Sequence, residues 1–297
     1  MNGVLNVYKE KGYTSHDVVA KLRGILKQKK IGHTGTLDPD AVGVLPVCLG
    51  KATKLCDMLT EKDKSYETVL LLGMVTDTQD TSGRILEESP VTVTEEEVRD
   101  CIRGFVGEQM QIPPMYSALK VNGKKLYELA REGIEVERRA RKVSFYSIDV
   151  TELCLPRVKL SVTCSKGTYI RTLCHDIGQK LGCGGCMEQL TRTRVERFRI
   201  QESLTLDEIR QRKENGILEQ DVLPIEEMFS EYPRICGSPG MDKALHNGNS
   251  FSCPGQMIPI KDSWVRVYDS QGMFIGIYQY QEERRRYMLV KMFKEET

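Results

Sequence analysis

One stretch, Gly32–Lys54, has the sequence GHTGTLDPDAVGVLPVCLGKATK. It begins with residues that disfavour helices and strands, and these are followed directly by an apolar run. Its first half is rich in Gly, Thr, Pro and Asp, which favour turns, and its second half is typical of a buried element. Asp38 and Asp40 lie on either side of Pro39, whose ring fixes the backbone φ angle. Such a turn is either a plain connection or a device that holds one carboxylate exposed in a fixed pose for chemistry.

The composition is that of an ordinary folded protein, with 297 residues, 40% apolar and 29% charged. We expect one large domain with a smaller one. No stretch approaches the roughly 20 apolar residues of a membrane span, and the N-terminal sequence MNGVLNVYKEKG lacks the apolar core of a signal peptide. These features predict a cytoplasmic protein without a membrane partner, in which the ten cysteines are reduced thiols.

The net charge of +1 identifies no partner by itself, because a local patch can bind a polyanion in a neutral chain. The basic residues, however, are grouped. Four clusters stand out: Lys21, Arg23, Lys27, Lys29 and Lys30; Arg131, Arg138, Arg139, Arg141 and Lys142; Arg192, Arg194, Arg197 and Arg199; and Arg284, Arg285 and Arg286. Four clusters in a balanced chain favour a polyanionic ligand such as a nucleic acid.

Periodicity predicts a mixed α+β chain. GVLNV near the N-terminus indicates a strand, after which Thr14 or Ser15 is positioned to cap a helix. Thr94 with Glu97 forms a capping-box pattern ahead of a second helix. RVKLSVTC alternates like a half-buried strand, and TYIRTLCHDIGQKLG continues as a helix to about Gly182.

The last seventy or so residues change in character. SWVRVYDSQGMFIGIYQYQEERRRYMLVKMF predicts several short strands separated by Gly and Asp-Ser turns. We place a domain boundary near Phe229, with a large domain at 1–228 and a small β-rich domain at 229–297. The small domain is too short for a large catalytic site, so we expect it to bind.

Arg171 and Tyr169 follow Gly167 at the switch from strand to helix. A guanidinium can bind a carboxylate through two hydrogen bonds and hold it ionised and oriented, and an aspartate so held can act as a covalent nucleophile. Asp38 and Arg171 are therefore candidates for such a pair, and a structural salt bridge is the alternative for either residue taken alone.

Metal and cofactor sites have little support in the sequence. Cys183 and Cys186 have the spacing of half a zinc site, but Cys174 and His175 would point apart on a helix, so packed thiols are the better interpretation. No phosphate-binding glycine loop precedes a helix. We expect no metal and no cofactor.

The motifs together resemble the TruB-type tRNA pseudouridine-55 synthases. GHTGTLDPDAVGVLPVCLGKATK is similar to the catalytic motif of that family, and GVLNVYKEKGYTSHDVV, KSYETVLLLGMVTDTQDTSG, QIPPMYSALKVNGKKLYELAREG, CSKGTYIRTLCHDIG and LTRTRVERF resemble its other blocks in order. One departure is that the family often has Lys-Pro where Lys9 is followed here by Glu10, which argues against a local role for that turn. The resemblance implies a central mixed, largely antiparallel sheet flanked by helices, an RNA-binding insertion at about 119–145 and a PUA-like C-terminal domain.

The resemblance also implies the reaction. One uridine in the T loop of tRNA becomes pseudouridine when its base is detached at N1, turned and rejoined through C5. Asp38 would be the nucleophile, Arg171 its partner, and Tyr66 the ring that stacks on the uracil and assists proton removal.

Further roles follow from the same resemblance. Tyr169 and Leu190 would line the base pocket, and His33 would fill the gap left in the RNA stack. Asp40 would be structural, since Pro39 keeps its neighbours from sharing one direction. The partner would be the tRNA T-arm, bound by a monomer without an obligatory protein partner.

Two other functions stay open on the residues alone. One is an RNA-binding protein without activity, against which the combination of Asp38, Tyr66 and Arg171 argues. The other is an RNA-guided relative that acts inside a ribonucleoprotein. A hydrolase with paired carboxylates is disfavoured, because Asp38 and Asp40 are too close in sequence to flank a substrate.

Overall fold

The computed structural model describes residues 1–121, 123–253, 259–261 and 263–293. Its α-helices are α1 Ser15–Leu26, α2 Cys56–Thr60, α3 Glu95–Arg103, α4 Leu126–Arg131, α5 Ile170–Leu181, α6 Leu206–Glu214 and α7 Asp242–His246. Its strands are β1 Gly3–Lys9, β2 Ile31–His33, β3 Val42–Leu49, β4 Lys64–Leu72, β5 Met74–Thr76, β6 Ile85–Glu88, β7 Gly107–Gln111, β8 Lys120–Val121, β9 Lys124–Lys125, β10 Arg141–Cys154, β11 Arg157–Cys164, β12 Gly185–Val195, β13 Phe198–Arg199, β14 Val222–Leu223, β15 Arg234–Cys236, β16 Phe251–Ser252, β17 Trp264–Tyr268, β18 Phe274–Gln281 and β19 Arg286–Met292.

Ten of these strands form one central sheet in the order β14-β1-β3-β12-β4-β11-β10-β7, with β2 beside β3 and β13 beside β12. The pairing of β12 with β3 is parallel and the other pairings in this sheet are antiparallel. The predicted α+β fold with a mixed, largely antiparallel sheet is therefore confirmed. The parallel contact brings the end of the Asp38 turn against the middle of the sheet.

The helices begin where their sequence signals are strongest. Thr14 caps α1 and exchanges hydrogen bonds with Asp17, and Thr94 does the same for α3 with Glu97. Each capping box satisfies backbone N–H groups that a helix start leaves free. Helix α5 ends at Gly182, whose φ of 75° is in the left-handed region that favours glycine.

Two apolar layers flank the sheet. Helices α3 and α5 cover one half, where Ile102 and Ile177 join the core formed with strands β4, β10 and β11. Helices α1 and α6 cover the other half, with Leu22 and Ile209 packed on β1 and β3. The predicted helices thus bury their apolar stripes on the sheet, which fixes the loops between the elements. No helix among the described residues is long and apolar enough to cross a membrane.

Residues 112–140 leave the sheet between β7 and β10 and return to it. They carry the short strands β8 and β9 and the helix α4. Residues 141–145, within the range expected for the insertion, form the start of β10 and pair with β7. The part that projects from the sheet therefore ends at about residue 140.

The C-terminal residues form a second sheet in the order β15-β17-β18-β19-β16. It has a core of its own, which includes Ile235, Val267 and Tyr278. The short strands predicted after residue 263 are confirmed. This sheet also shares an apolar cluster with the central sheet, where Ile277 and Phe293 pack with Val4 and Val44.

Phe229 lies at the centre of that shared cluster and is 2% exposed. Its ring centroid is 5.7 Å from that of Phe293 and 6.4 Å from that of Trp264, with Tyr232 and Phe274 also in contact. Aromatic side chains of this size contribute much of the apolar area in such contacts. Phe229 therefore joins the two sheets.

We predict that Phe229→Ala lowers the free energy of unfolding by about 3–5 kcal/mol, because it removes a buried ring and leaves a cavity. Trp264 is the only tryptophan of the chain and lies in the cluster, so its fluorescence during urea unfolding measures the loss. Met273→Ala, at a side chain that is 44% exposed, is the control and is expected to keep the wild-type midpoint. An unchanged urea midpoint for Phe229→Ala would show that the aromatic contact between the two sheets does not stabilise the fold.

Candidate active site

Asp38 and Arg171 meet in the structure, although 133 positions separate them in the chain. Asp38 lies on the loop between β2 and β3, and Arg171 lies in the first turn of α5. The Arg171 Nε atom is 3.0 Å from Asp38 Oδ2, and Nη2 donates to Oδ1 at 3.3 Å. The carboxylate is thus held through both oxygens, which fixes its direction as well as its charge.

The Arg171 guanidinium is 6% exposed and has further partners in two other segments. It donates to the carbonyl oxygens of Thr78 at 3.1 Å and Tyr116 at 2.8 Å. Its Nη1 atom is also 3.6 Å from Asp80 Oδ2. A buried cation needs such partners, and here they come from the loop after β5 and from the beginning of the insertion.

Asp80 is a member of the site that sequence reasoning missed. Its carboxylate accepts hydrogen bonds from the hydroxyl groups of Thr78 at 2.8 Å and Ser82 at 2.5 Å and from the Ser82 N–H group. The local signal was the Asp-Thr-Gln-Asp-Thr-Ser run, since Asp, Ser and Thr side chains favour such turns. Nothing in that run indicated that the turn would reach Arg171.

Opposing influences act on the Asp38 carboxyl. Burial is the largest and raises its pKa, while Arg171 and then Lys9 oppose the rise and Asp80 adds to it. The side chain is nevertheless 38% exposed, so a ligand can reach it. Asp40, by contrast, is 66% exposed, with Lys11 at 3.9 Å. The two carboxylates therefore occupy different environments.

Lys9 binds the backbone of the Asp38 loop. Its side chain is fully buried, and its ammonium group donates to the carbonyl oxygens of Pro39 at 3.0 Å, Ala41 at 2.6 Å and Glu10 at 3.1 Å. Burial lowers the pKa of Lys9 to about 8. The lysine of this Lys9-Glu10 pair therefore anchors the Asp38 loop through its side chain.

Arg192 also binds the backbone of the Asp38 loop. It is 1% exposed and donates from Nε to the Val44 carbonyl oxygen at 2.7 Å and from its terminal nitrogens to those of Gly35 and Thr36 at 3.3 and 3.4 Å. It lies opposite Tyr66 across the pairing of β12 with β4, and its charge acts on the Tyr66 hydroxyl. Arg192 thus ties the Asp38 loop to strand β12.

Glycine is required where this loop enters β3. Gly43 has a φ of +106°, and a Cβ atom there would lie 2.3 Å from the Arg192 carbonyl oxygen. Both the backbone conformation and the close approach exclude a side chain. The glycine allows β3 to lie close to β12, so that Arg192 on β12 can reach the backbone of the Asp38 loop.

The interpretation of the third basic cluster as part of a polyanion-binding surface is wrong for most of its members. Arg192 is buried, Arg194 donates to the Ser65 hydroxyl and the Glu196 carbonyl oxygen, and Arg197 pairs with Glu196 and Glu231. These arginines satisfy groups inside the protein. A count of charges along the sequence cannot separate them from solvated ones.

Tyr66 lies on β4, opposite Arg192 on β12 and Val162 on β11. Directly paired residues share a face of a sheet, and Leu190, opposite Thr68, is on the same face. The Tyr66 ring is 8% exposed and packs with Leu37 in the core. Burial raises the pKa of Tyr66 to about 12, so the hydroxyl is protonated at neutral pH.

Tyr169 and His33 lie on separate elements. Tyr169 is the cap residue of α5, and the charges of Arg171 and Asp38 act on its hydroxyl. His33 ends β2, and its ring meets that of His16 edge-on at 5.5 Å. Burial, followed by the charges of His16 and Arg192, lowers the pKa of His33, so its ring is neutral at neutral pH.

The cysteines that could have suggested a metal site are packed as thiols. Cys174, Cys183 and Cys186 are free and buried. Within the described ranges, no group of three or more His, Cys, Asp or Glu side chains is placed to hold a metal ion.

A reachable carboxylate in a rigid loop, paired with a buried guanidinium and flanked by tyrosines, is typical of an enzyme that uses covalent catalysis. Comparison with known proteins is consistent with this class. Residues 23–170 match the model of the TruB family pseudouridylate synthase N-terminal domain, and residues 171–230 match that of the tRNA pseudouridylate synthase B C-terminal domain.

Full-length relatives agree with these matches. The chain is 52% identical to the tRNA pseudouridine synthase B of Lachnoclostridium phytofermentans, covering 99% of this chain and 100% of the relative. It is 47% identical to the protein of that name from Clostridium tetani, covering 95% and 97%. Among solved structures, a chain in a Cbf5–Nop10–Gar1 complex superposes with a TM-score of 0.74 at 28% identity, covering 98% of this chain and 85% of that one. The chain belongs to the TruB family of pseudouridylate synthases.

We predict that Lys9→Met lowers the free energy of unfolding at pH 7 by about 1–3 kcal/mol, because three carbonyl oxygens lose a donor. The loss should grow with pH. The folded state binds the Lys9 proton less tightly than the unfolded chain, with a pKa of about 8 against an ordinary value of 10.5. Between these values the unfolded chain carries more protons, so the wild type gains stability over the variant by up to about 1.4 kcal/mol per pH unit.

Urea unfolding at pH 7, 8, 9 and 10 measures this difference. Lys11→Met is the control, because the Lys11 side chain is 73% exposed and its removal should give a small difference that does not vary with pH. A constant difference for Lys9→Met would show that Lys9 titrates alike in both states.

Proposed function

We propose that this chain isomerises the T-loop uridine of tRNA, at position 55, to pseudouridine, with Asp38 as the nucleophile. The observation that carries the proposal is the two-point contact of Arg171 with an Asp38 that stays 38% exposed. Pure RNA binding needs no carboxylate that is oriented in this way. The relatives that match along the full length are tRNA pseudouridine synthases by name, and this supports the same substrate here.

The reaction breaks the bond between C1′ and N1, forms a bond between C1′ and C5, and releases the C5 hydrogen as a proton. Asp38 supplies the electron pair that makes the base or ribose reactive and regains it when the new bond is complete. Arg171 opposes the rise that burial causes in the pKa of Asp38 and so favours its ionised form. Because nothing is oxidised and no group is brought from elsewhere, the reaction needs no cofactor and no metal.

The uridine must leave its stack to reach Asp38, at a cost of a few kcal/mol. Stacking on an aromatic ring returns about 1–3 kcal/mol per base. We assign this stacking to Tyr66, the lining of the base pocket to Tyr169 and Leu190, and the filling of the vacated place in the RNA to the neutral His33 ring. The charge of Asp38 acts on the hydroxyl groups of Tyr66 and Tyr169, which supports their assignment to the reacting base.

The last step removes the proton from C5, and we assign it to the Tyr66 hydroxyl. With a pKa raised to about 12, that hydroxyl must pass its own proton on as it accepts the new one. The Arg192 guanidinium beside it stabilises the developing negative charge. We assign the receipt of that proton to Asp38, which is free again at this stage and whose charge acts on the Tyr66 hydroxyl.

We assign RNA binding to both parts of the chain. A catalytic domain at 1–228 would carry the insertion at about 119–145, and a PUA-like domain at 229–297 would extend the RNA surface. The separate core of the C-terminal sheet supports this division. The protein would act as a monomer without a protein partner, in the cytoplasm, where its ten cysteines would stay reduced.

An RNA-guided function is the alternative, because the chain also resembles one in an H/ACA RNP bound to a substrate RNA, with a TM-score of 0.72 at 26% identity. The identity to the stand-alone relatives is higher and extends over their full length. Tritium release from C5-labelled uridine in a bare T-arm hairpin, with the purified chain alone, decides between them. An RNA-guided enzyme would release none.

We predict that Asp38→Asn abolishes single-turnover tritium release, because the amide keeps the shape but loses the nucleophilic charge. RNA affinity should be largely retained, since phosphate contacts elsewhere carry it. Asp40→Asn is the matched control in the same turn and should keep most of the activity. Pseudouridine formed by Asp38→Asn, or equal loss in both variants, would remove Asp38 from this role.

We predict that Tyr66→Phe lowers the single-turnover rate by about a hundredfold or more, with RNA affinity nearly unchanged, because the ring stays and the hydroxyl is lost. Tyr66→Leu should lose both rate and affinity, since stacking goes as well. Quench-flow and filter binding on the same T-arm RNA measure the two quantities. A near-normal rate for Tyr66→Phe would leave Tyr66 as a stacking platform only.

A further inference from the structure

Gln111 is a buried polar residue that the proposed mechanism does not use. It is 3% exposed and is the last residue of β7, where it pairs with Arg141 on β10. Residues 112–140 project from the sheet between these two paired positions. The Gln111 backbone is therefore fixed by the sheet at the base of the insertion, and its amide points into the protein.

Both polar atoms of the Gln111 side chain are bound to the backbone of Tyr169. The Tyr169 N–H group donates to Gln111 Oε1 at 2.8 Å, and Gln111 Nε2 donates to the Tyr169 carbonyl oxygen at 3.0 Å. The amide thus imitates the edge of a neighbouring strand. A strand-like partner of this kind favours an extended residue.

Tyr169 is extended, with φ −102° and ψ 111°, and it caps α5 without a side-chain acceptor of its own. Tyrosine is a poor cap residue, because its side chain cannot accept from the first free N–H groups of a helix. Without a partner, the backbone of Tyr169 could take up helical angles and lengthen α5 by one residue. The ring of Tyr169 and the guanidinium of Arg171, two residues later, would then leave their directions in the site.

We propose that Gln111 is a positioning residue, whose buried side-chain amide sets the backbone of Tyr169 and through it the directions of the Tyr169 ring and Arg171. The inference rests on the proposed function for its catalytic consequence. A second contact has the same effect, since the Tyr116 carbonyl oxygen, five residues further along, accepts from Arg171 at 2.8 Å. The end of β7 and the segment that follows it therefore hold both residues at the start of α5.

Gln111→Met tests this role, because methionine keeps the length and fills the space but makes neither hydrogen bond. Misplacing reacting groups by about 1 Å can cost about a hundredfold in rate. We expect the single-turnover rate to fall by about tenfold to about a hundredfold, while the RNA dissociation constant stays within about threefold because phosphate contacts are intact. A residue that only supported the fold would lower affinity and rate together.

Gln109→Met is the matched control. Gln109 lies on the same strand, two residues earlier, and its amide donates to the Gly104 carbonyl oxygen away from the site. Gln111→Asn is the second variant, which keeps the amide but is one methylene too short to reach both Tyr169 atoms. It should reproduce the loss of rate if Gln111→Met does not fold.

Hydrogen exchange supplies a readout that is independent of activity. The amide of Tyr169 bonds to Gln111 Oε1. Its protection should fall about tenfold or more in Gln111→Met and remain in Gln109→Met. Unchanged protection, or a rate equal to that of Gln109→Met, would overturn the proposal. An inactive wild type would contradict the proposed function, whereas the exchange result decides on Gln111 by itself.

Discussion

The Arg171 guanidinium is the contact on which the site depends. It is nearly buried, and its hydrogen bonds and ion pairs reach Asp38, the turn that holds Asp80, and the carbonyl oxygen of Tyr116. A guanidinium stays charged when buried, so each partner must supply oxygen atoms to it. The Asp38 loop, the turn after β5 and the beginning of the insertion are therefore fixed relative to one another by one cation.

Two more buried cations complete the support of the Asp38 loop. Lys9 and Arg192 bind its carbonyl oxygens from β1 and β12, on which the loop rests. A loop held in this way has little freedom to reorganise when charge develops at the carboxylate, which is the condition for electrostatic catalysis. Arg171 and Lys9 also oppose the rise that burial causes in the pKa of Asp38.

Apolar packing sets the frame around this polar centre. Helices α3 and α5 anchor one half of the sheet and helices α1 and α6 the other, so the loop lies where the two halves meet. The aromatic cluster around Phe229 then joins the C-terminal sheet to β1 and β3. A change in that aromatic cluster would therefore affect the packing of β1, which carries Lys9, and of β3, which follows the Asp38 loop.

The sequence by itself determined the elements that local rules govern. The helix cap at Thr14 or Ser15, the capping box at Thr94, the alternation of β11 and the glycine that ends α5 all depend on a few neighbouring residues, and each was predicted. The sequence also singled out Asp38 and Arg171, since a stiff acidic turn and an arginine at a strand-to-helix switch are both local. Tertiary structure alone decided that Arg192 is buried and binds the Asp38 loop, instead of contributing to a basic surface. It also decided that Lys9 binds the backbone of this loop, and that Asp80 and Gln111 contact residues at the start of α5. The burial and the hydrogen bonds of these side chains depend on segments that are far apart in the chain. Arg192 and its acceptor Val44, for example, are 148 residues apart. No local sequence pattern specifies which distant backbone group a buried cation or amide will contact.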